Sequence, residues 1–520
     1  MDMTSTTSRP LLLGIDTGQT VTKACLFDLD GQEIASSSAP TSTSSPHDRW
    51  QERDMHAIWE QTVTVIRDCL ARADRAPADV RAVGLCGHND GLHLVDESLK
   101  PVRPAILATD SRAHRYARQD AVGELGDRAL RETGQVPFAA SPAALLQWIR
   151  DHEPENYERI RWVLSCKDWV RLQLTGLVGT DPTDASASFT GVRSQDWAIE
   201  ALRLYGLEDL SEALPPIVGS GEVAGEISAR AAAATGLNAG TPVVAGAHDV
   251  DANALGIGCS RPGDLSIVMG TFSINQVIED TPRLDRRWQA RAFVRSGQWM
   301  HMSSSPSSAS NLEWVIRNFG PWREGDLPDH ARAMEEAFAA AAQPQHRPQP
   351  VYLPFLYGSP HGDAMPATLT GLRGWHTRGD VLHAVLKGVV FNHRTHVDAL
   401  REQFDLSSGA RVCGGGARSP KWTQLLADSL NVPVEVTDVD QAGARGAALL
   451  AGVGTGHYRD LNHAIAQTVR VVRRHEPHAP TARVLEVEYA RYLDLVHALM
   501  PLFNDDPAAT RHYLKEPLCH

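Results

Sequence analysis

The chain has 520 residues, a formal net charge of −13 and seven cysteines. That length predicts two or more domains, each able to bury its own core without a stabilising disulfide or metal. The acidic balance argues against a nucleic-acid partner, which clustered Lys and Arg would grip, but not against a nucleotide held by backbone amides, hydroxyls and Mg2+.

The N-terminal "MDMTSTTSRP" is polar and acidic, and no apolar run reaches membrane-spanning length, so neither export nor membrane insertion is expected. "LLLGIDTGQTVTKACLFDLDG" follows. Leu11 to Ile15 reads as a buried strand and Val21 to Phe27 as a second, joined by a tight turn. Asp16, Gly18 and Thr20 in that turn tolerate bent backbone and can face an anion or a metal. With Lys23 they could serve phosphoryl transfer, where a carboxylate holds hydrated Mg2+ and donors take phosphate oxygens. A plain turn former would carry the same acid.

In "GLCGHNDGLHLVD", His88, Asn89 and Asp90 form a turn between strand-like segments. They offer donors and acceptors for sugar or polyol hydroxyls, though a polar hairpin tip would look alike. "SCKDWVRLQLTG" predicts a short helix ended by Gly176, and in "TDPTDAS" Asp181 caps a helix that Pro182 opens. "GTPVVAGAHDVDANALG" gives a strand from Val243 to Ala247, an acidic turn and a small-residue helix. Burial beside a second carboxylate would raise the pKa of Asp249 and suit it to act as a base, with Asp251 as cap or supporting partner.

"DLSIVMGTFSINQVIED" repeats the strand, glycine turn, strand pattern around Gly270 and Thr271. The repetition predicts an internal duplication with a cleft, divided near Gly240 into residues 1–240 and 241–520. "AAAQPQHRPQP", Ala340 to Pro350, reads as a surface loop. In "ARVCGGGARSPKWTQLLADSLNVPVEV" a strand ends in three glycines, Ser419 caps and Pro420 opens a helix, and Trp422, Leu425, Leu426 and Leu430 form its apolar face. Bare backbone beside a helix N-terminus suits close approach of a nucleotide.

The cysteines, Cys25, Cys69, Cys86, Cys166, Cys259, Cys413 and Cys519, include no CxxC pair and predict a reduced, cytoplasmic protein. No GxxxxGK[ST] occurs, no GxGxxG stands between a strand and a helix, and there is no HExxH. P-loop, dinucleotide-fold and catalytic-zinc readings therefore lack their motifs.

Together these motifs resemble the FGGY family of carbohydrate kinases, over nearly the whole chain from the Asp16 hairpin to about Gly456. The most specific part is "ATLTGLRGWHTRGDVLHAVLK", which follows the family's C-terminal signature but ends in Lys387 where an acid or Gln is expected. The resemblance implies an α/β fold of two ribonuclease-H-like domains, of the actin and sugar kinase superfamily, flanking a central cleft. The N-terminal domain would bind sugar and carry the first phosphate loop; the C-terminal one would carry the catalytic Asp and bind ATP. It implies ATP and Mg2+ as cofactors and Asp249 as catalytic base, itself in contact with the sugar. Asp16 falls to the metal. Thr20, Lys23, Gly270 and Thr271 fall to phosphate; Gly415, Gly416, Ala417 and Ser419 to adenosine; His88, Asn89, Asp90 and, in "TDSRA", Asp110 to the sugar. Arg418 replaces an amide common in the adenosine loop.

"SPSSASNLEW", "LPFLYGS" and "GVVFNHRTHVDALREQF" are most similar to the L-xylulose kinase branch. The expected partner is a small sugar, a ketopentose such as L-xylulose or xylulose, with a polyol such as erythritol as alternative. The "GHNDG" turn lacks the Gln usual in ketopentose kinases. A homodimer is compatible with the sequence. A non-catalytic ligand sensor on the same fold is the reading from another class, and intact Asp16 and Asp249 weigh against it. A carboxylate-pair glycosidase would leave two phosphate-type hairpins without a purpose.

Overall fold

The computed structural model describes residues 10–320, 329–342, 348–361 and 365–503. Met1 to Arg9, Cys519 and the middle of the Ala340–Pro350 loop lie outside the described residues. The chain forms two compact units. The first comprises the chain through Pro262 with Ile278–His301 and Val439–Arg470. The second comprises Gly263–Val277, Met302–Asp438 and the chain from Val471.

In the first unit the main sheet runs Glu33–Pro40, Val21–Asp28, Leu11–Thr17, Val80–Gly87, Pro242–Val244, Val223–Glu226. The first three strands are antiparallel, the next two join in parallel, and the last returns antiparallel. Side chains alternate across the pleat. Leu11, Leu13 and Ile15 therefore enter a core with Ile58, Val65 and Ile66 of the helix Met55–Ala73 and Trp169 of the helix Cys166–Thr175. Gly14 and Asp16 point the other way, toward the helix Ala442–Gly454. That helix packs so close that a Cβ at Gly14 would stand 1.9 Å from the Ala444 carbonyl, and one at Gly84 equally near that of Ala447. Only glycine permits the approach.

In the second unit the ladder includes, in order, Ser273–Glu279, Leu265–Met269, Ala410–Cys413, Val434–Thr437 and Val471–His475. Its pairings are antiparallel, parallel, parallel and antiparallel. The helix Arg378–Arg401 contributes Leu382, Val385, Leu386, Val389 and Val390 to the buried interior. Lys387, the departure from the family signature, is buried on that helix with its Nζ 2.9 Å from Glu488 Oε1.

Several local expectations hold. Gly176 ends its helix at φ 80°, Asp181 caps the helix opened by Pro182, and Ser419 caps the one opened by Pro420. Others need correction. Asp16 lies inside the first strand, not in the turn, because the ladder continues through Asp16↔Lys23 and Thr17↔Thr22. The His88–Asp90 turn is no hairpin tip, since Val80–Gly87 belongs to the main sheet and His93–Val95 pairs with Trp162–Leu164. No acidic turn precedes the small-residue helix: it begins at Asp249 directly after the strand Ala247–His248.

Candidate active site

The first unit gathers most of the expected residues at the C-terminal ends of its parallel strands. Asp16 ends one strand beside Cys86 on the next, and Ala247–His248 runs parallel to the same strand through Ala247↔Cys86 and His248↔Gly87. Asp16 also faces the start of the helix Ala442–Gly454, where a Cβ at Gly443 would lie 3.1 Å from Asp16 Oδ2. Burial pushes the Asp16 carboxyl up to about 6. Lys23 across the hairpin opposes that rise, and Asp249 adds to it. In the turn Thr20 is exposed, and on the strand that follows Lys23 is half-buried.

Asp249 is the first residue of its helix and keeps 26% of its side chain exposed. Burial raises its pKa, with Asp90 adding and His248 and Lys23 opposing. His248 Nε2 lies 3.3 Å from Asp249 Oδ1 and its Nδ1 lies 3.4 Å from Asp251 Oδ2. Burial alone would depress the His248 pKa, but the Asp251 hydrogen bond and the charges of Asp249, Asp251 and Asp184 raise it to about 9. His248 thus lies between two acids that favour its charged form. Asp251 serves as that second partner.

Beneath lies a buried ion cluster. Lys167 Nζ stands 2.7 Å from Asp168 Oδ1, 2.9 Å from Asp181 Oδ1 and 2.9 Å from Asp184 Oδ2. Asp181 accepts from the Thr183 hydroxyl at 2.8 Å, and that hydroxyl accepts the His248 amide at 2.7 Å. Lys167 and the "TDPTDAS" acids are therefore tied directly to the segment that delivers Asp249. Lys167 offsets these buried acids in part, while burial with Asp168 and Asp181 raises the Asp184 pKa to about 7.

The three residues of the sugar-type turn differ in what they leave free. Asn89 donates to the backbone carbonyls of Thr183 and Asp184 at 3.4 and 3.2 Å, and its own oxygen accepts the Asp90 amide. Asp90, in left-handed backbone at φ 58°, pairs with both terminal nitrogens of Arg291 at 2.8 and 3.3 Å. Arg291 Nε donates to Gln135 at 3.0 Å. His88 is buried with no hydrogen-bond partner on either ring nitrogen. Asp110 is held elsewhere: fully buried, its carboxylate accepts the Gln51 amide at 2.7 Å and the Arg112 guanidinium. Arg112 in turn pairs with Glu52 and stacks on Trp50.

The second unit brings the remaining residues together. Gly270 and Thr271 turn between paired Met269 and Ser273, and their carbonyls accept the Ala309 and Ser308 amides at 2.9 and 3.0 Å. The glycine loop lies alongside. A Cβ at Gly414 would meet the Met269 carbonyl at 2.7 Å, and one at Gly416 the Met269 side chain at 2.9 Å. Gly415 faces open space. Ala417 closes the turn Gly415–Arg418, and the Ser419 hydroxyl accepts the Trp422 amide at 3.3 Å. This backbone cradle is open at Gly415 and lies next to a helix N-terminus, where bare amides can be approached closely.

Sequence reasoning missed Arg291, Gln135 and Lys167. Nothing local marks any of the three: in "SCKDW" the lysine is followed directly by Asp168, the pattern of a solvated helix face. Among the described residues no helix is long and apolar enough to cross a membrane.

Comparison with known proteins bears on the family and the fold. The N-terminal domain of the FGGY family of carbohydrate kinases matches residues 11–256, and its C-terminal domain matches residues 265–455. The L-xylulose/3-keto-L-gulonate kinase of Escherichia coli strain K12 is 34% identical over 94% of this chain and 97% of its own length. The erythritol kinase of Brucella abortus is 26% identical over 95% and 97%. The crystal structure of xylulose kinase from Rhodospirillum rubrum superimposes with a TM-score of 0.84 at 28% identity, covering 95% of this chain and 99% of that one. The α/β fold with two sheet-bearing units is thus that of the sugar kinases, and the chain belongs to the FGGY family of carbohydrate kinases.

Proposed function

We propose that the protein transfers the terminal phosphoryl group of ATP to a terminal hydroxyl of a ketopentose, L-xylulose or xylulose. Asp249 accepts the hydroxyl proton. The observation that carries this reading is the mutual influence of Asp16, Lys23, Asp90 and Asp249 at one set of strand ends, with Asp249 partly exposed and its pKa raised by burial. Asp90, held by Arg291, orients the acceptor. Thr20, Lys23, Gly270 and Thr271 take phosphate oxygens, and Gly415 and Gly416 leave backbone bare for adenosine.

The hard carboxylate oxygens of Asp16 suit Mg2+, which prefers oxygen ligands. When bound, Mg2+ neutralises charge on the transferring phosphoryl group. The charge of His248 opposes the rise in the Asp249 pKa and so favours its ionised form.

The L-xylulose kinase relative supports the ketopentose. The erythritol kinase relative, and an Asp90–Arg291 pair where ketopentose kinases usually have a Gln-containing turn, favour a polyol as the second reading. ADP release with Mg-ATP against L- and D-ketopentoses, tetruloses and four- and five-carbon polyols separates them. Turnover on a ketopentose is expected. Turnover on polyols alone would shift the substrate class, and none on any would favour a ligand-binding protein.

A further inference from the structure

A second group of side chains in the first unit has the chemistry of a different site. His88 and His93 flank the Asn89–Leu92 segment, with ring centroids 5.6 Å apart and planes inclined at 50°. Cys166 opens the helix Cys166–Thr175. All three are buried, and one ligand atom from each lies within 4.8 Å of the other two.

All four ring nitrogens of His88 and His93 are buried without a hydrogen-bond partner among the described residues; the Asn89 backbone influences the His88 ring without reaching hydrogen-bond geometry. Leaving a buried polar atom unsatisfied carries its full desolvation penalty, so four on two adjacent rings call for an occupant. Beside them Arg53 also leaves Nε and Nη1 without partners.

We propose that His88, His93 and Cys166 bind a borderline transition-metal dication, Zn2+ being the best match. Imidazole nitrogen and thiolate sulfur are the ligands that such ions select, and two histidines with one cysteine leave a fourth position for water. The donor set is wrong for Mg2+, which takes oxygen, so this site is distinct from Asp16. Binding displaces the Cys166 proton to solvent and leaves a thiolate. Arg53 would share that thiolate; Asp168, whose field reaches His93, and Asp184 and Asp249, whose fields reach Cys166, oppose its positive charge. The ion would tie the turn that presents Asn89 and Asp90 to the helix that carries Lys167, holding both in register. It takes no part in the reaction.

Metal content decides the matter without reference to activity. The full chain, produced in zinc-containing medium and freed of loose metal by gel filtration, should retain about one Zn2+ per chain. Cys166→Ser and His93→Asn should lose it, while Asp16→Ala should keep it. If the variants fail to fold, the unmodified chain refolded with Co2+ provides an independent readout: a thiolate-to-cobalt charge-transfer band is expected. A folded chain with no stoichiometric metal and no such band would overturn the proposal, as would full retention of the metal by folded Cys166→Ser and His93→Asn.

Discussion

The two units carry the same strand logic and fill it with opposite chemistry. Each has an antiparallel hairpin, Leu11–Thr17 with Val21–Asp28 in one and Leu265–Met269 with Ser273–Glu279 in the other. Each hairpin is followed in its sheet by two parallel strands and an antiparallel one. In the first unit the hairpin delivers Asp16 opposite Lys23, and the loop after the neighbouring parallel strand is "GHNDG". At the same two places the second unit has Met269 opposite Ser273 and the loop "GGGARS". One copy is built from buried charge, the other from bare backbone. A base and hydroxyl-reading groups must be side chains, whereas phosphate and ribose can be met by amides.

The sharpest way to break this comparison is to remove the charge expected to do the chemistry. Asp249→Asn keeps the shape but cannot take a proton, so kcat should fall by roughly 10²–10⁴-fold. Affinity for a non-hydrolysable ATP analogue, measured by calorimetry, should stay as it is, because the glycine cradle belongs to the other unit. Retained turnover would place the base elsewhere.

Next in size is the ion cluster that supports Asp249. Lys167→Met leaves Asp168, Asp181 and Asp184 without their shared cation. Breaking such a buried network should cost about 3–5 kcal/mol in urea unfolding. A loss near zero would mean that the acids find other partners, and that this unit does not depend on its charges.

His248 offers a pH-dependent test of the same idea. Its pKa rises from an ordinary 6.5 to about 9 in the folded chain. A group whose folded pKa is raised adds stability in full below its unfolded value, and that stability is lost as pH climbs through the folded value. Unfolding free energy should therefore drop by up to about 3 kcal/mol between roughly pH 6 and pH 10, at 1.36 kcal/mol per pKa unit. His248→Gln should flatten the slope in that window. An unchanged slope in the variant would assign the titration to another group.

What could be read from the sequence was what neighbours along the chain decide. The hairpins, the Asp181 and Ser419 caps and the Gly176 stop follow from local rules, and all are present. Asp16 was placed one element too late because the ladder runs past the last apolar residue. Asp251 could be read as a cap or as a supporting partner, and only the fold shows that His248, three residues back, holds it. Lys167 sits among alternating charges that suggest a solvated helix face, and only Asp181 and Asp184 folding back over it make burial tolerable. Arg291 lies 201 positions from Asp90, and no spacing rule reaches that far.

The smallest effect expected is also the one that compares the two loops directly. Asp90→Ala removes the carboxylate that Arg291 holds at 2.8 Å, and an acceptor hydroxyl then goes unpaired. That loss is worth about 1–3 kcal/mol and should raise the KM for the sugar while leaving that for ATP nearly unchanged. Gly416→Ala does the reverse. Its new methyl would lie 2.9 Å from the Met269 side chain, so the loop must shift by a few tenths of an ångström, and the KM for ATP should rise with the sugar KM unaffected. Steady-state kinetics with each substrate varied in turn gives all four numbers. If both variants moved both constants together, the two loops would be acting as one structural unit, and the division between a charged acceptor side and a backbone-built nucleotide side would fail.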